Sequence, residues 1–110
     1  MMKIDILSLF PEMFEGFLNT SIIARAIKNK QIEINVHNFR DYSLDKHKRV
    51  DDYPYGGGAG MVLMCEPIFR AVESLRKEDT KVIMLTPSGE IFTEKKAQEL
   101  SKFSHIIMLC

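Results

Sequence analysis

With 110 residues, 15 basic and 15 acidic side chains and an apolar fraction of 45%, the chain is long enough for one hydrophobic core and short for most complete enzymes. Its zero formal charge excludes bulk electrostatic attraction to nucleic acid, so any such role must rest on a local patch. No secretory signal stands near Met1, no apolar run approaches a membrane span, and Cys65 and Cys110 lack the spacing or histidine neighbours of a metal site. The expectations are a cytoplasmic, metal-free, membrane-free protein whose two cysteines serve as buried small hydrophobes.

In chain order, Lys3 to Phe10 alternates and then saturates with Ile4, Ile6, Leu7, Leu9 and Phe10, which predicts a strand covered on both faces and ended by Pro11. Pro11 also suits a first helical turn, and Met13, Phe14, Phe17 and Leu18 recur at helical spacing. A second helix is predicted from a cap at Thr20 or Ser21 through Ile22, Ile23, Ala26 and Ile27. Ile32, Ile34 and Val36 alternate with Glu33, Asn35 and His37, the pattern of a strand with one wetter face.

From Arg40 to Gly60 periodicity vanishes, and so long a connection is either functional or disordered. Pro67 opens a helix whose apolar face is Ile68, Phe69, Val72 and Leu75, running through Lys77. Lys81 to Leu85 predicts a short buried strand that stops at Thr86-Pro87-Ser88-Gly89. Thr93 is the cap of a helix with Ala97, Leu100 and Phe103 on one face, and His105 to Cys110 is a final apolar strand, with an unpaired edge near Cys110 that favours self-association. Strands alternating with helices imply an α/β fold, a parallel sheet flanked by helices, with ligands gathered beyond the carboxyl ends of the strands.

Two stretches carry chemistry. Arg49 to Met61 puts four glycines, Gly56, Gly57, Gly58 and Gly60, behind Tyr53, Pro54, Tyr55 and the pair Asp51 and Asp52. Glycine loses the most entropy on ordering, so such a cluster needs a close contact in return, from a ligand or from tight packing. It is no Walker loop, since Met61 and Val62 follow Gly60, and no dinucleotide fingerprint, since Leu63 stands where the third glycine belongs. Around it, arginine and lysine suit phosphates, tyrosines suit stacking on bases, and a carboxylate suits the guanine N1 and N2 donors; a plain solvated loop accounts for the same mixture. The second stretch, at Thr86 to Gly89, is either an ordinary turn or a strand end whose backbone meets an adenine edge or ribose.

Taken together, Ile4 to Phe14, Asn38 to Tyr42, Arg49 to Asp52, the block Pro54-Tyr55-Gly56-Gly57-Gly58-Ala59-Gly60-Met61, and Leu85 to Gly89 resemble the amino-terminal half of the bacterial tRNA (guanine-N1)-methyltransferase family. The resemblance implies the amino-terminal part of a trefoil-knotted, SPOUT-class domain that takes a methyl group from S-adenosylmethionine and places it on N1 of the guanine 3′ of the tRNA anticodon, as a homodimer. It further implies that Met84, Leu85, Thr86, Pro87 and Gly89 line the donor site, and that Arg49, Asp51, Asp52, Tyr55, Gly58 and Gly60 approach the target guanine.

The family's proton acceptor and arginine belong to its carboxyl-terminal half, so no catalytic residue is assigned within 1–110. On the same resemblance, residues 1–110 are a truncated methyltransferase domain that leaves the knot incomplete, lacks the carboxyl-terminal tRNA-binding domain, and is inactive alone. The rival readings are a non-catalytic RNA-binding module and a knotted methyltransferase acting on another RNA.

Overall fold

The computed structural model describes residues 1–44, 51–52, 62–63, 65–86 and 89–110. Strand β1 (Met2–Ser8) leads through a 3₁₀ turn at Pro11–Phe14 into the short helix α1 (Glu15–Leu18), then α2 (Ser21–Lys28) and β2 (Ile32–Asn38). A second 3₁₀ turn, Phe39–Tyr42, precedes two short strands, β3 (Asp51–Asp52) and β4 (Val62–Leu63). Then come α3 (Cys65–Leu75), β5 (Thr80–Met84), α4 (Glu94–Leu100) and β6 (His105–Leu109).

Four strands form one parallel sheet in the order β2-β1-β6-β5, with Asp5 opposite Asn35 and Ile107, and Ile107 opposite Val82. Each parallel pair needs a crossover, and the helices between the strands supply it. The two central strands are the most apolar: Leu7 and Ile107 are fully buried, and they share one face with Leu109. On that face Phe39 and Ala71 complete the core, flanked by Tyr42, Ile68, Val72 and Leu75, so α3 and the 39–42 turn cover it together. Fully burying a large side chain such as Leu7, Phe39 or Ile107 contributes about 1.5 to 3 kcal/mol. Period-two alternation sends Ile4, Ile6 and Met108 to the opposite face, where they meet Met13, Phe14, Phe17 and Ile23 around an apolar groove of about 540 Å³.

Several sequence expectations need correcting. The strand expected to be buried at 81–85 is an edge strand: Val82 is 41% and Met84 61% exposed, because β5 has β6 on one side and no described strand on the other. The unpaired edge expected near Cys110 does not exist, since β6 is bonded to both β1 and β5. Cys110 is exposed, not a core residue. Thr20 stands at the N-cap of α2 without capping it; its hydroxyl donates instead to the Gly16 carbonyl at 3.0 Å. Thr93 does cap α4, accepting from the Lys96 amide at 3.1 Å.

Inside the long 40–60 connection, where no regular structure was anticipated, Asp51 and Asp52 pair antiparallel with Leu63 and Val62. The glycine block at 56–60 lies outside the described residues.

Candidate functional site

A cleft of about 340 Å³ runs along β5 from Lys81 to Met84 and continues past its carboxyl end to Gly89. Its position follows from the strand order: a parallel sheet directs its strand-end loops to one side, and an edge strand leaves room beside itself. Met84, Leu85, Thr86 and Gly89 line the cleft, together with Val82, Phe92 and Lys96. Leu85 is anchored to the sheet, its amide donating to the Leu109 carbonyl at 3.1 Å, and the chain then turns so that the Gly89 amide reaches the Thr86 carbonyl at 3.2 Å. A methyl group on Gly89 would stand 3.1 Å from Thr86 Cγ2, so glycine lets this turn close tightly.

The cleft mixes apolar lining at Met84, Leu85 and Phe92 with charged groups at Lys81, Glu90 and Lys96. Lys96 Nζ lies 3.1 Å from Glu90 and 3.5 Å from Glu99, and its bond to Glu90, with the charges of both carboxylates, raises its pKa above the usual lysine value. Lys81 holds its ammonium 6.0 Å from the Phe103 ring centre. Such a pocket suits a largely uncharged, flat ligand oriented by backbone groups.

Of the residues read from sequence as donor-binding, Met84, Leu85, Thr86 and Gly89 come together at this cleft, while Pro87 lies outside the described residues. Of those read as guanine-facing, Asp51 and Asp52 form β3, and Arg49, Tyr55, Gly58 and Gly60 lie outside the described residues.

A second polar cluster lies within the sheet. Asp5 is 1% exposed, and its carboxylate takes His37 Nε2 at 2.8 Å on one oxygen and His105 Nε2 at 2.6 Å on the other. An ionised carboxylate only accepts, so both imidazoles donate from Nε2. The Lys77 amide donates to Thr80 Oγ1 at 2.7 Å, and that hydroxyl donates in turn to His105 Nδ1 at 2.7 Å. Burial alone would raise the Asp5 pKa; the bonds from His37 and His105, with the nearby Lys3 charge, outweigh it and hold the carboxyl below its usual range. The legible signal was an acid set between Ile4 and Ile6 in an apolar strand, since a buried charge requires partners.

Among the described residues no group of three or more histidine, cysteine or carboxylate side chains is arranged to hold a metal ion, and no helix is long and apolar enough to cross a membrane.

The fold and the cleft define a parallel α/β domain of the kind that binds ligands at its strand ends. More narrowly, the chain belongs to the tRNA (Guanine-1)-methyltransferase TrmD family, whose family model matches residues 2–110. It is 56% identical over 110 residues to a protein of Dictyoglomus turgidum named tRNA (guanine-N(1)-)-methyltransferase, covering 100% of this chain and 45% of that relative. A Staphylococcus aureus (strain JH9) protein of the same name is 58% identical over 110 residues, covering 99% of this chain and 45% of its own length. The chain thus spans less than half the length of the relatives it matches.

Proposed function

We propose that the full-length protein carrying this chain transfers a methyl group from S-adenosylmethionine to N1 of the guanine 3′ of the tRNA anticodon, in the cytoplasm and as a homodimer. The observation that carries the reading is the family match over residues 2–110 at 56 to 58% identity to named tRNA (guanine-N(1)-)-methyltransferases. The cleft supports the donor reading: its volume and its mixed apolar and polar lining suit a nucleoside, and Met84, Leu85, Thr86 and Gly89 line it where β5 ends. In this reading those residues and Pro87 hold the donor's adenosine, while Arg49, Asp51, Asp52, Tyr55, Gly58 and Gly60 approach the target guanine.

The chemistry sets what the rest of the protein must supply. Guanine N1 carries a proton, so attack on the donor methyl requires a carboxylate to accept that proton and donors to stabilise charge on O6. The base must also leave its stack to reach the methyl. None of the residues in 1–110 is assigned the proton-accepting role, which belongs to the remainder of the full-length protein along with the tRNA-binding domain. Residues 1–110 are accordingly one part of the methyltransferase domain, and inactive by themselves.

Methyl transfer from radiolabelled donor to a tRNA transcript tests this directly. The full-length protein is expected to label N1 of the guanine 3′ of the anticodon, and to lose labelling when that base is changed to adenine. The 110-residue chain is expected to label nothing. Donor-independent tRNA binding without transfer by the full-length protein would leave an RNA-binding module instead, and labelling of a different RNA would redirect the substrate.

A further inference from the structure

We propose that Phe92 is the residue against which the purine of the bound nucleoside lies, a role that rests on the adenosyl-donor reading of the cleft. A single exposed phenylalanine needs no explanation. Phe92, however, is 72% exposed while lining the same cleft as Met84 and Leu85, themselves 61% and 57% exposed. Three exposed apolar residues thus line one cavity, Leu85 also lining the groove beside Ile4 and Met108.

The loop that carries Phe92 is fastened on both sides of it. Before it, the Gly89 amide reaches the Thr86 carbonyl at 3.2 Å and Glu90 meets Lys96 at 3.1 Å. After it, Thr93 Oγ1 accepts from the Lys96 amide at 3.1 Å. Lys96 therefore ties the loop to α4 twice, once by side chain and once by backbone, with Phe92 between the two ties. These bonds hold the backbone on either side of Phe92, which reduces the loop freedom lost when a flat ligand binds. Every base offers it a π face.

Charge selects a nucleoside over a nucleotide. Lys96 is engaged by Glu90 and Glu99, and Lys81 lies over Phe103. Of the two lysines that line the cleft, Lys96 already has two carboxylate partners, which disfavours a phosphate beside it and suits an adenosyl group.

Calorimetric titration of the full-length protein with S-adenosylhomocysteine and with 5′-methylthioadenosine tests the assignment. Phe92→Ala is expected to weaken both ligands about tenfold, the order found for alanine replacement of base-stacking aromatics. Phe92→Tyr should stay within about twofold of the parent, and Phe92→Leu, which keeps apolar bulk without a π face, should lose several-fold. Should Phe92→Ala fail to fold, Phe92→Leu decides alone. Parent-like affinity in Phe92→Ala and Phe92→Leu, or a loss on S-adenosylhomocysteine that 5′-methylthioadenosine does not share, overturns the role of Phe92 and leaves the donor reading intact. A parent protein that binds neither ligand overturns the donor reading, and the role of Phe92 with it.

Discussion

His105 Nε2 donates to Asp5 Oδ2 at 2.6 Å across 100 positions of sequence, with both side chains 2% exposed. Asp5 sits on β1 and His105 at the start of β6, the two central strands, and His37 and Thr80 extend the chain of bonds to β2 and β5. One buried carboxylate thereby links polar groups from all four strands of the sheet. Each of its two oxygens has a donor, and no buried side-chain polar atom among the described residues is left without a partner.

Removing that carboxylate should be costly in proportion to what it satisfies. Asp5→Ala leaves the buried His105 imidazole without its acceptor, and a loss of about 3 kcal/mol is expected at neutral pH. Asp5→Asn should lose less, about 1 to 2 kcal/mol, because the amide oxygen still accepts from His105 while the amide nitrogen forces His37 to turn or change tautomer. The pH dependence follows from the depressed Asp5 pKa. A carboxyl lowered in the folded state stabilises fully above its unfolded value, about 3.9, and that stabilisation is lost as pH falls through the folded value. Denaturant melts at neutral pH and below pH 4 check this. The gap between parent and Asp5→Asn should shrink in acid, and a gap independent of pH would sink the account.

Lys30 offers a gain in stability. The Gln31 amide reaches the Ala26 carbonyl at 2.9 Å and the Lys30 amide reaches Ile27 at 3.0 Å, the paired bonds of a Schellman ending for α2, with Lys30 at φ 58°. That left-handed position is where glycine is preferred. Lys30→Gly is expected to raise stability by about 0.5 to 1 kcal/mol, net of the added entropy of the unfolded chain. A melting temperature that is unchanged or lower would show that the lysine is not strained there.

Gly89→Ala probes the turn without touching the sheet. The added methyl would meet Thr86 Cγ2 at 3.1 Å and the Thr86 carbonyl at 3.5 Å. Relieving the 3.1 Å contact needs Thr86 Cγ2 to give by a few tenths of an ångström, and at an exposed residue the stability cost should stay below about 1 kcal/mol. That shift moves a residue that lines the cleft, so on the proposed donor reading the full-length protein's affinity for S-adenosylhomocysteine should fall several-fold. Calorimetry beside a thermal melt separates the two effects. Unchanged affinity would place the Thr86 side chain outside the ligand's reach.

Periodicity made the strands and helices readable because each central strand is covered on both faces and each helix on one. The bounds of β2 follow directly from the alternation of Ile32, Ile34 and Val36 with polar neighbours. Strand order was not readable: Val82 and Met84 are as apolar as core residues, and only the pairing of β5 with β6 alone reveals them as an edge. The Thr86–Gly89 turn was readable from proline and glycine, which act locally. The company of Phe92 and Lys96 at the cleft was not, because the fold of the 89–93 loop depends on an ion pair and a cap that no local pattern announces. The long-range link from Asp5 to His105 was hidden for the same reason.

Among the described residues, one edge of β5 has no neighbouring strand. A strand with one unpaired side and apolar side chains is a template for pairing with another chain. Val82 is 41% and Met84 61% exposed, whereas the other edge, β2, presents Glu33, Asn35 and His37, with Glu33 held 3.8 Å from Lys3. The 110-residue chain is therefore expected to self-associate through β5. Val82→Lys places a charge on that edge, as natural edge strands do, and the long lysine stem still covers the apolar surface. Sedimentation at matched concentration should show fewer dimers and larger species for Val82→Lys than for the parent, with an unchanged far-ultraviolet circular dichroism spectrum. Asn35→Lys, on the edge already guarded by polar groups, should leave the distribution unaltered. Equal association in Val82→Lys and the parent, or a larger effect from Asn35→Lys, would move the sticky surface away from β5 and toward the apolar groove between Ile4, Phe17 and Met108.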